Sequence, residues 1–413
     1  MGIVARLSRH MALGVSALLL TTAAQAETLT IYWNAGHAYE AYAEVIKGFE
    51  ADNPGWTVQW ERYQWPEMRT KLVADFSVKN APDLVSGQGP WISEFGGQGL
   101  LMPLDDYIAA DGKTIGYPDD WYDFSVERNM YDGKYYGIQM HLTCVALVYN
   151  VDMLKDAGFD APPTTWDEFM NVARATTKNG KFGFVPNQVP MYHWPWIFQN
   201  GGDYYDPATN KVTYDSDAAI EAVQFLADMI HKDQVAPLPV AGVDYEGPQK
   251  LFTAGRAAMI LTGPWDVGPI KTGNPNLNWD VAPGLTNERQ MTVAGGVGLM
   301  IPASAKHPDQ AWELIKRFTS LETELVASVE NGMTMPRKSW GEQEATQADP
   351  VLNKFGQCLP YSREVTALLD PTGKTARVEE MFKSAMEDIL YNNKPARDVL
   401  TQSAAEANAY LAN

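Results

Sequence analysis

Hydrophobic positions along the chain fall into two periods. The run TLTIYW at 28–33 has the density of a buried strand, and TVQWERY at 57–63 alternates, with Val58 and Trp60 on one side. Between them Tyr42, Val45, Ile46 and Phe49 recur at spacings of three and four. That predicts a helix ending before Asn53-Pro54. Pro66 opens a second helix carrying Met68, Leu72 and Phe76. In PPTTWDEFM, Thr165 is placed to cap a helix, with Glu168 three positions on to complete a capping box. Ala219, Val223, Leu226 and Ile230 form a core stripe. GPQKLFTAGRAAMILTG reads as a helix closed by Gly255, then a strand from Ala257 to Leu261. Pro308 starts a helix whose Ala311, Trp312, Ile315 and Phe318 face inward. Strand-like and helix-like segments alternate without an internal repeat, the pattern of an α/β fold with mostly parallel sheets.

The N-terminus breaks this pattern. Arg6 and Arg9 precede an apolar run from Met11 to Leu20, and AQA at 24–26 precedes Glu27. A basic stretch, a short apolar stretch and a small-x-small site predict a cleaved secretory leader over 1–26. The run is too short to span a bilayer, which takes about 20 apolar residues. With two arginines gone, the formal charge moves from −19 to −21. Such a balance excludes a nucleic-acid partner and disfavours anionic membranes. About 390 remaining residues predict two lobes. Cys144 and Cys358 are separated by 214 positions, which shows no proximity, and the reading comes down against a disulfide.

Known catalytic patterns are missing. There is no phosphate-binding G-x-x-x-x-G-K-[ST], no H-E-x-x-H, no G-x-S-x-G and no complete G-x-G-x-x-G. His37, His141 and His193 lie on candidate cleft segments, but not at metal-ligand spacing, so no metal or other cofactor is expected. A glycosidase needs two carboxylates across a sugar, and with 51 acidic residues some pair arises by chance. Asp266 stands out by its setting beside Trp265, as an acceptor for a ligand hydroxyl. Aromatic residues carry more information. Of 13 tryptophans, Trp33, Trp65, Trp91, Trp194, Trp196 and Trp265 adjoin turns or element ends. Flat rings cover the C–H face of a sugar while amide, imidazole and carboxylate groups reach its hydroxyl rim. Trp166 and Trp312, by helical phase, belong to the core.

Ordered landmarks then bring a family into view. APDLVSG at 81–87 with GLLMPLDDYI, LVYNVDMLKDAGFDAPPTTWDEFM at 147–170, WPWIFQNGGDYYD, LFTAGRAAMILTGPW and GGVGLMIPASAKHPDQAWELIKRF follow one another in register. The mature chain thereby resembles an extracellular solute-binding protein of the sugar-transporting ABC importers, in the group that includes maltose-binding protein. The resemblance implies a two-lobed periplasmic-binding-protein fold of type II, its lobes closing on a ligand by hinge motion. It places crossings near 139–143, 292–296 and 334–341. Lobe 1 then comprises 27–139 with 296–337, and lobe 2 comprises 140–295 with 338–413, including a last helical stretch with Met381, Met386 and Leu390.

Carried over residue by residue, the resemblance implicates Met191 and Tyr192 with His193 and Trp194 beside them, Trp265 as a stacking ring, and Gln88 on the loop after PDLVSG. Asn34 and His37 follow the first strand. Alternation on the first crossing sets Gln139, His141 and Thr143 on one face, and Gly295 and Gly296 let backbone approach a sugar. The acidic residue expected after PD is replaced by Gly87-Gln88-Gly89, which puts maltodextrin in doubt. Arg337 reads as a solvated or lobe-bridging residue, or as a partner for an anionic substituent. The expectation is a periplasmic, monomeric, non-enzymatic receptor that hands a carbohydrate to ABC permease subunits. Two rivals stand beside it: a secreted carbohydrate-active enzyme, and a receptor for a polyamine, peptide or metal chelate, for which Asp83 and Asp266 supply carboxylates.

Overall fold

The computed structural model describes residues 26–240, 245–282 and 284–413. The expected leader, apart from Ala26, lies outside the described residues. Strands β1 (Glu27–Asn34), β2 (Trp56–Tyr63), β3 (Leu84–Gln88) and β4 (Ile138–Cys144) build the first lobe. Strands β5 (Ala146–Asn150), β6 (Phe182–Val185), β7 (Ala257–Thr262) and β8 (Trp279–Val281) build the second. β9 (Thr292–Met300) then returns to the first sheet, and the short β10 (Ser362–Arg363) joins its edge.

β1 lies between β2 and β3 and runs parallel to both, in register from Glu27 opposite Trp56 to Asn34 opposite Tyr63. Period-2 alternation gives it two buried faces. Leu29, Ile31 and Trp33 enter one core while Tyr32 enters another on the opposite side. The sheets are more mixed than the expected parallel pattern. β9 runs antiparallel to β3 and β4, and β5 runs antiparallel to β7 and β8, while β6 and β7 are parallel. The reason is connectivity. β9 re-enters the first sheet from the other lobe, against the direction set by the β-helix-β units.

The predicted helices form over Glu40–Asp52, Trp65–Ser77, Trp166–Thr176, Asp217–His231 and Pro308–Phe318. At Thr165 both halves of the capping box are made: its hydroxyl accepts from the Glu168 amide and the Glu168 carboxylate accepts from the Thr165 amide. Trp166 and Trp312 are buried in their respective cores. Phe382, Met386 and Leu390 of the helix Thr375–Asn392 are buried in the second lobe's core, with Met381 packed against it.

β4 crosses from Ile138 and Met140 in the first core to Cys144 in a second-lobe cluster, and β9 crosses from Val293 in the second core to Val297 and Leu299 in the first. The third crossing lies later in the chain than 334–341. Trp340 and Leu352 still pack in the first core, while Phe355 and Cys358 belong to the second-lobe cluster and Val351 packs against it. Side by side, the first and third crossings bring Cys144 and Cys358 to a Cα separation of 6.2 Å, and the two form a disulfide. The expectation of unpaired cysteines is thus overturned by a juxtaposition that only the folded hinge creates.

Candidate functional site

Between the lobes lies a cavity of about 940 Å³. Its walls come from loops at strand ends, where open α/β sheets place their ligands. The Asn34 side-chain carbonyl accepts from the Gly36 amide at 2.9 Å and so folds the turn Ala35–His37. The Trp33 indole N–H donates to the His37 carbonyl at 2.8 Å and fixes the same turn from below. His37 is thereby aimed at His141 on β4, with ring centroids 5.4 Å apart. Tyr42 Oη lies 2.5 Å from His141 Nε2 and orients that ring. Burial holds the His37 imidazole down at about 4, and His141 well below its ordinary value, so both are neutral at pH 7. A neutral imidazole offers one donor and one acceptor, the complement of a hydroxyl group.

Gln88, Thr143, Met191, Tyr192 and Trp194 join His37 and His141 in lining the cavity. Trp265, Gly295 and Gly296 complete this part of the wall. At Gly296, φ is +137°, and a side chain there would collide with the His141 carbonyl. Trp265 packs against the cores of both lobes. Trp194 is only 2% exposed and stacks on Phe382 at 4.3 Å, so it forms the floor of the cavity. Trp33 and Trp196 are core residues, and so are Phe198 and Gln199.

Several expected residues stand outside the lining. Asn34 works one step back, as the cap just described. His193 is buried, with Nε2 2.8 Å from the Asn187 carbonyl, and holds its own loop. Gln139 donates to the His141 carbonyl and accepts from Asn129, inside the first lobe. Asp266 is buried and accepts from the Thr262 hydroxyl at 2.5 Å; burial first, with the Glu246 charge adding, pushes its carboxyl up to about 7. Asp83 accepts from the amides of Thr30, Lys306 and His307, each at 2.9 Å, and is structural. Arg337 is neither solvated nor lobe-bridging. It is buried in the first lobe, pairs with Asp120 at 3.1 Å and Glu324 at 3.4 Å, donates to the Ile115 carbonyl, and sits 4.2 Å over the Trp121 ring. It does not line the cavity.

The cavity also contains residues that no motif singled out. Trp65 and Trp91 meet edge to face at 5.9 Å, and Trp65 lies 5.7 Å from His37. Both tryptophans adjoin element ends, the signal that drew notice to them as a group. Arg128 and Glu364 meet across the cleft as a buried ion pair, and sequence offers nothing that joins positions 236 residues apart. The helix Pro90–Gly97 of the first lobe lies against the turn Asp370–Thr372 of the second, so the lobes meet around the cavity.

Polar atoms in this lining are short of partners. His37 Nδ1, His141 Nδ1, Thr143 Oγ1, Trp265 Nε1 and Arg128 Nε and Nη1 are buried with none among the described residues. Native interiors pair the great majority of such atoms. Their concentration on one cavity makes it the candidate site. Among the described residues, no group of three or more His, Cys, Asp or Glu could hold a metal ion.

Comparison with known proteins agrees with this geometry. The family model for the bacterial extracellular solute-binding protein matches residues 34–324. The chain belongs to that family. A maltotriose-binding protein of Pyrococcus abyssi is 27% identical over 356 residues, spanning 80% of this chain and 74% of its own. A galactooligosaccharide-binding protein of Bacillus subtilis is 23% identical over 354 residues, 82% of this chain and 79% of its own. Among solved structures, the GacH receptor of Streptomyces glaucescens, determined unliganded and with acarbose, superposes with a TM-score of 0.84. It shares 22% identity and covers 94% of this chain and 98% of its own. The fold of this solute-binding protein is therefore the two-lobed type II form, and the cavity between its lobes is where a solute would bind.

Proposed function

We propose that this protein captures a carbohydrate in the interlobe cavity and delivers it to an ABC import permease, without covalent chemistry. One observation carries the reading: unpaired hydrogen-bonding atoms of His37, His141, Thr143 and Trp265 are interleaved with the rings of Trp65, Trp91 and Trp265. Neutral donors and acceptors between flat apolar surfaces fit a sugar, which is amphipathic in the same way. The names of the relatives from Pyrococcus abyssi and Bacillus subtilis, both oligosaccharide-binding, support the class. We place the mature protein, from Glu27 onward, in the periplasm as a monomer. Ligand captured by one lobe gains contacts from the other on closure, and the shift in population toward the closed form is what the permease reads.

A thermal-shift screen of residues 27–413 against neutral sugars, acidic sugars, putrescine and short peptides tests this. At 100 times Kd a ligand stabilises by about 2.7 kcal/mol, well within detection. A shift confined to related sugars is the expected result. A shift from putrescine or peptide with silence across the sugars would overturn the carbohydrate assignment.

A further inference from the structure

We infer that Arg128 and Glu364 form a charge filter in this cavity. Arg128 anchors the ligand from the first lobe, and Glu364 cancels its charge from the second. The site therefore takes a neutral sugar and turns away its acidic counterpart. The inference rests on the carbohydrate reading and specifies the ligand class within it.

Arg128 follows the short helix Asp123–Glu127, which packs beside β4 in the first lobe. Glu364 follows β10 and precedes Val365, a member of the second core. The Arg128 side chain is 5% accessible and that of Glu364 11%, and Arg128 Nη2 donates to the Glu364 carboxylate. Arginine cannot shed its proton, so a guanidinium enclosed this way needs a counter-charge. The lobe that closes over it supplies one.

Glu364 takes up Nη2 and leaves Nε–H and Nη1–H of Arg128 without partners among the described residues, in a side chain that lines the cavity. The slot is shaped for this group. A Cβ at Gly296 would lie 3.0 Å from Nη1, and one at Gly89 would overlap the guanidinium. Two donors are thus reserved for ligand oxygens while the charge is already neutralised. A hydroxyl or ring oxygen can accept them at no electrostatic cost. A ligand carboxylate would add an anion beside Glu364, close to Asp370, whose own oxygens already accept from Thr366 and Thr375. Like charges enclosed together repel strongly, which is how interfaces reject wrong partners.

The experiment is calorimetric titration of wild type, Glu364→Gln and Arg128→Gln with matched trisaccharides of maltose, galactose and arabinose type. Each is used as the neutral sugar and as its terminal uronic acid. Wild type should favour the neutral member by about 100-fold, and Glu364→Gln should narrow that ratio by about tenfold or more. Arg128→Gln should weaken the neutral sugar by about tenfold or more, the cost of a charged hydrogen-bond donor lost. Melting curves without ligand confirm that each variant folds; if Arg128→Gln does not, Arg128→Lys keeps the charge, loses the fork, and should show the same loss. An unchanged neutral-to-acidic ratio in Glu364→Gln, or full neutral-sugar affinity in the Arg128 variant, would refute the filter while leaving a sugar receptor. Absence of any sugar binding to wild type would refute the carbohydrate reading beneath it.

Discussion

Asp266→Asn should stabilise the protein, by an amount that grows as the pH rises. The Asp266 carboxyl is 4% exposed, with the Thr262 hydroxyl as its hydrogen-bond donor, and burial lifts it from the ordinary 3.8 to about 7. Between those two values the unfolded chain has released this proton and the folded chain still holds it. Folding stability therefore falls as pH rises through the window, at about 1.36 kcal/mol per unit, and levels off above about 7. Over about three units the full loss is about 4 kcal/mol; relaxation around the ionised group makes about 2 to 4 kcal/mol the working range. Asparagine presents the same acceptor to Thr262 and does not titrate. The melting temperature of Asp266→Asn relative to wild type should thus rise by on the order of 2 to 5 °C between pH 4.5 and 8, because a chain this long unfolds with a large entropy. Taking the difference between variant and wild type matters. The buried His37 and His141 act with the opposite sign over roughly pH 6.5 to 4, losing stability as pH falls, and they cancel in it. Calorimetry of both proteins across the range, without ligand, is the assay. A difference in melting temperature that does not change with pH would mean that Asp266 titrates as a solvated carboxylate, and would refute the reasoning.

Trp265→Ala should raise the Kd for the sugar identified in the screen by about 10- to 150-fold, the equivalent of about 1.5 to 3 kcal/mol of aromatic burial. Titration calorimetry reads this, and affinity within threefold of wild type would take Trp265 out of the site. Reducing the Cys144–Cys358 bond, or replacing both residues with alanine, should destabilise the protein by about 5 kcal/mol on the chain-entropy account of a loop this long. A melting curve unmoved by reduction, with two free thiols confirmed by titration, would refute that account.

Local segments were legible in the sequence because their causes are local. The stripe Ala219–Val223–Leu226–Ile230, the capping box at Thr165 and the phase of Trp312 each depend on residues within a few positions of one another. Much of the cavity lining was legible as well. His37 and Trp265 fall just past strand ends, which in such sheets face a cleft, and alternation along the first crossing marked His141. Where expectation failed, the deciding contact was distant in sequence. Asp266 turns from the cleft toward Thr262, and Arg337 meets Glu324 and Asp120 inside one lobe. Neither the place of Asp266 beside Trp265 nor that of Arg337 near a crossing revealed its orientation.

What the sequence by itself determined is the set of helices and strands, the export-like leader as an expectation, and the type of chemistry available at strand ends. Periodicity, capping and composition act over a few residues and survive without knowledge of the rest. Only the tertiary structure decided that Cys144 meets Cys358, that the third crossing lies beyond Trp340, and that Arg128 finds Glu364 across the cleft. Each of these joins lengths of chain that separate elements bring together. Such pairing follows from how two sheets and three crossings close on one another, and no local signal encodes it.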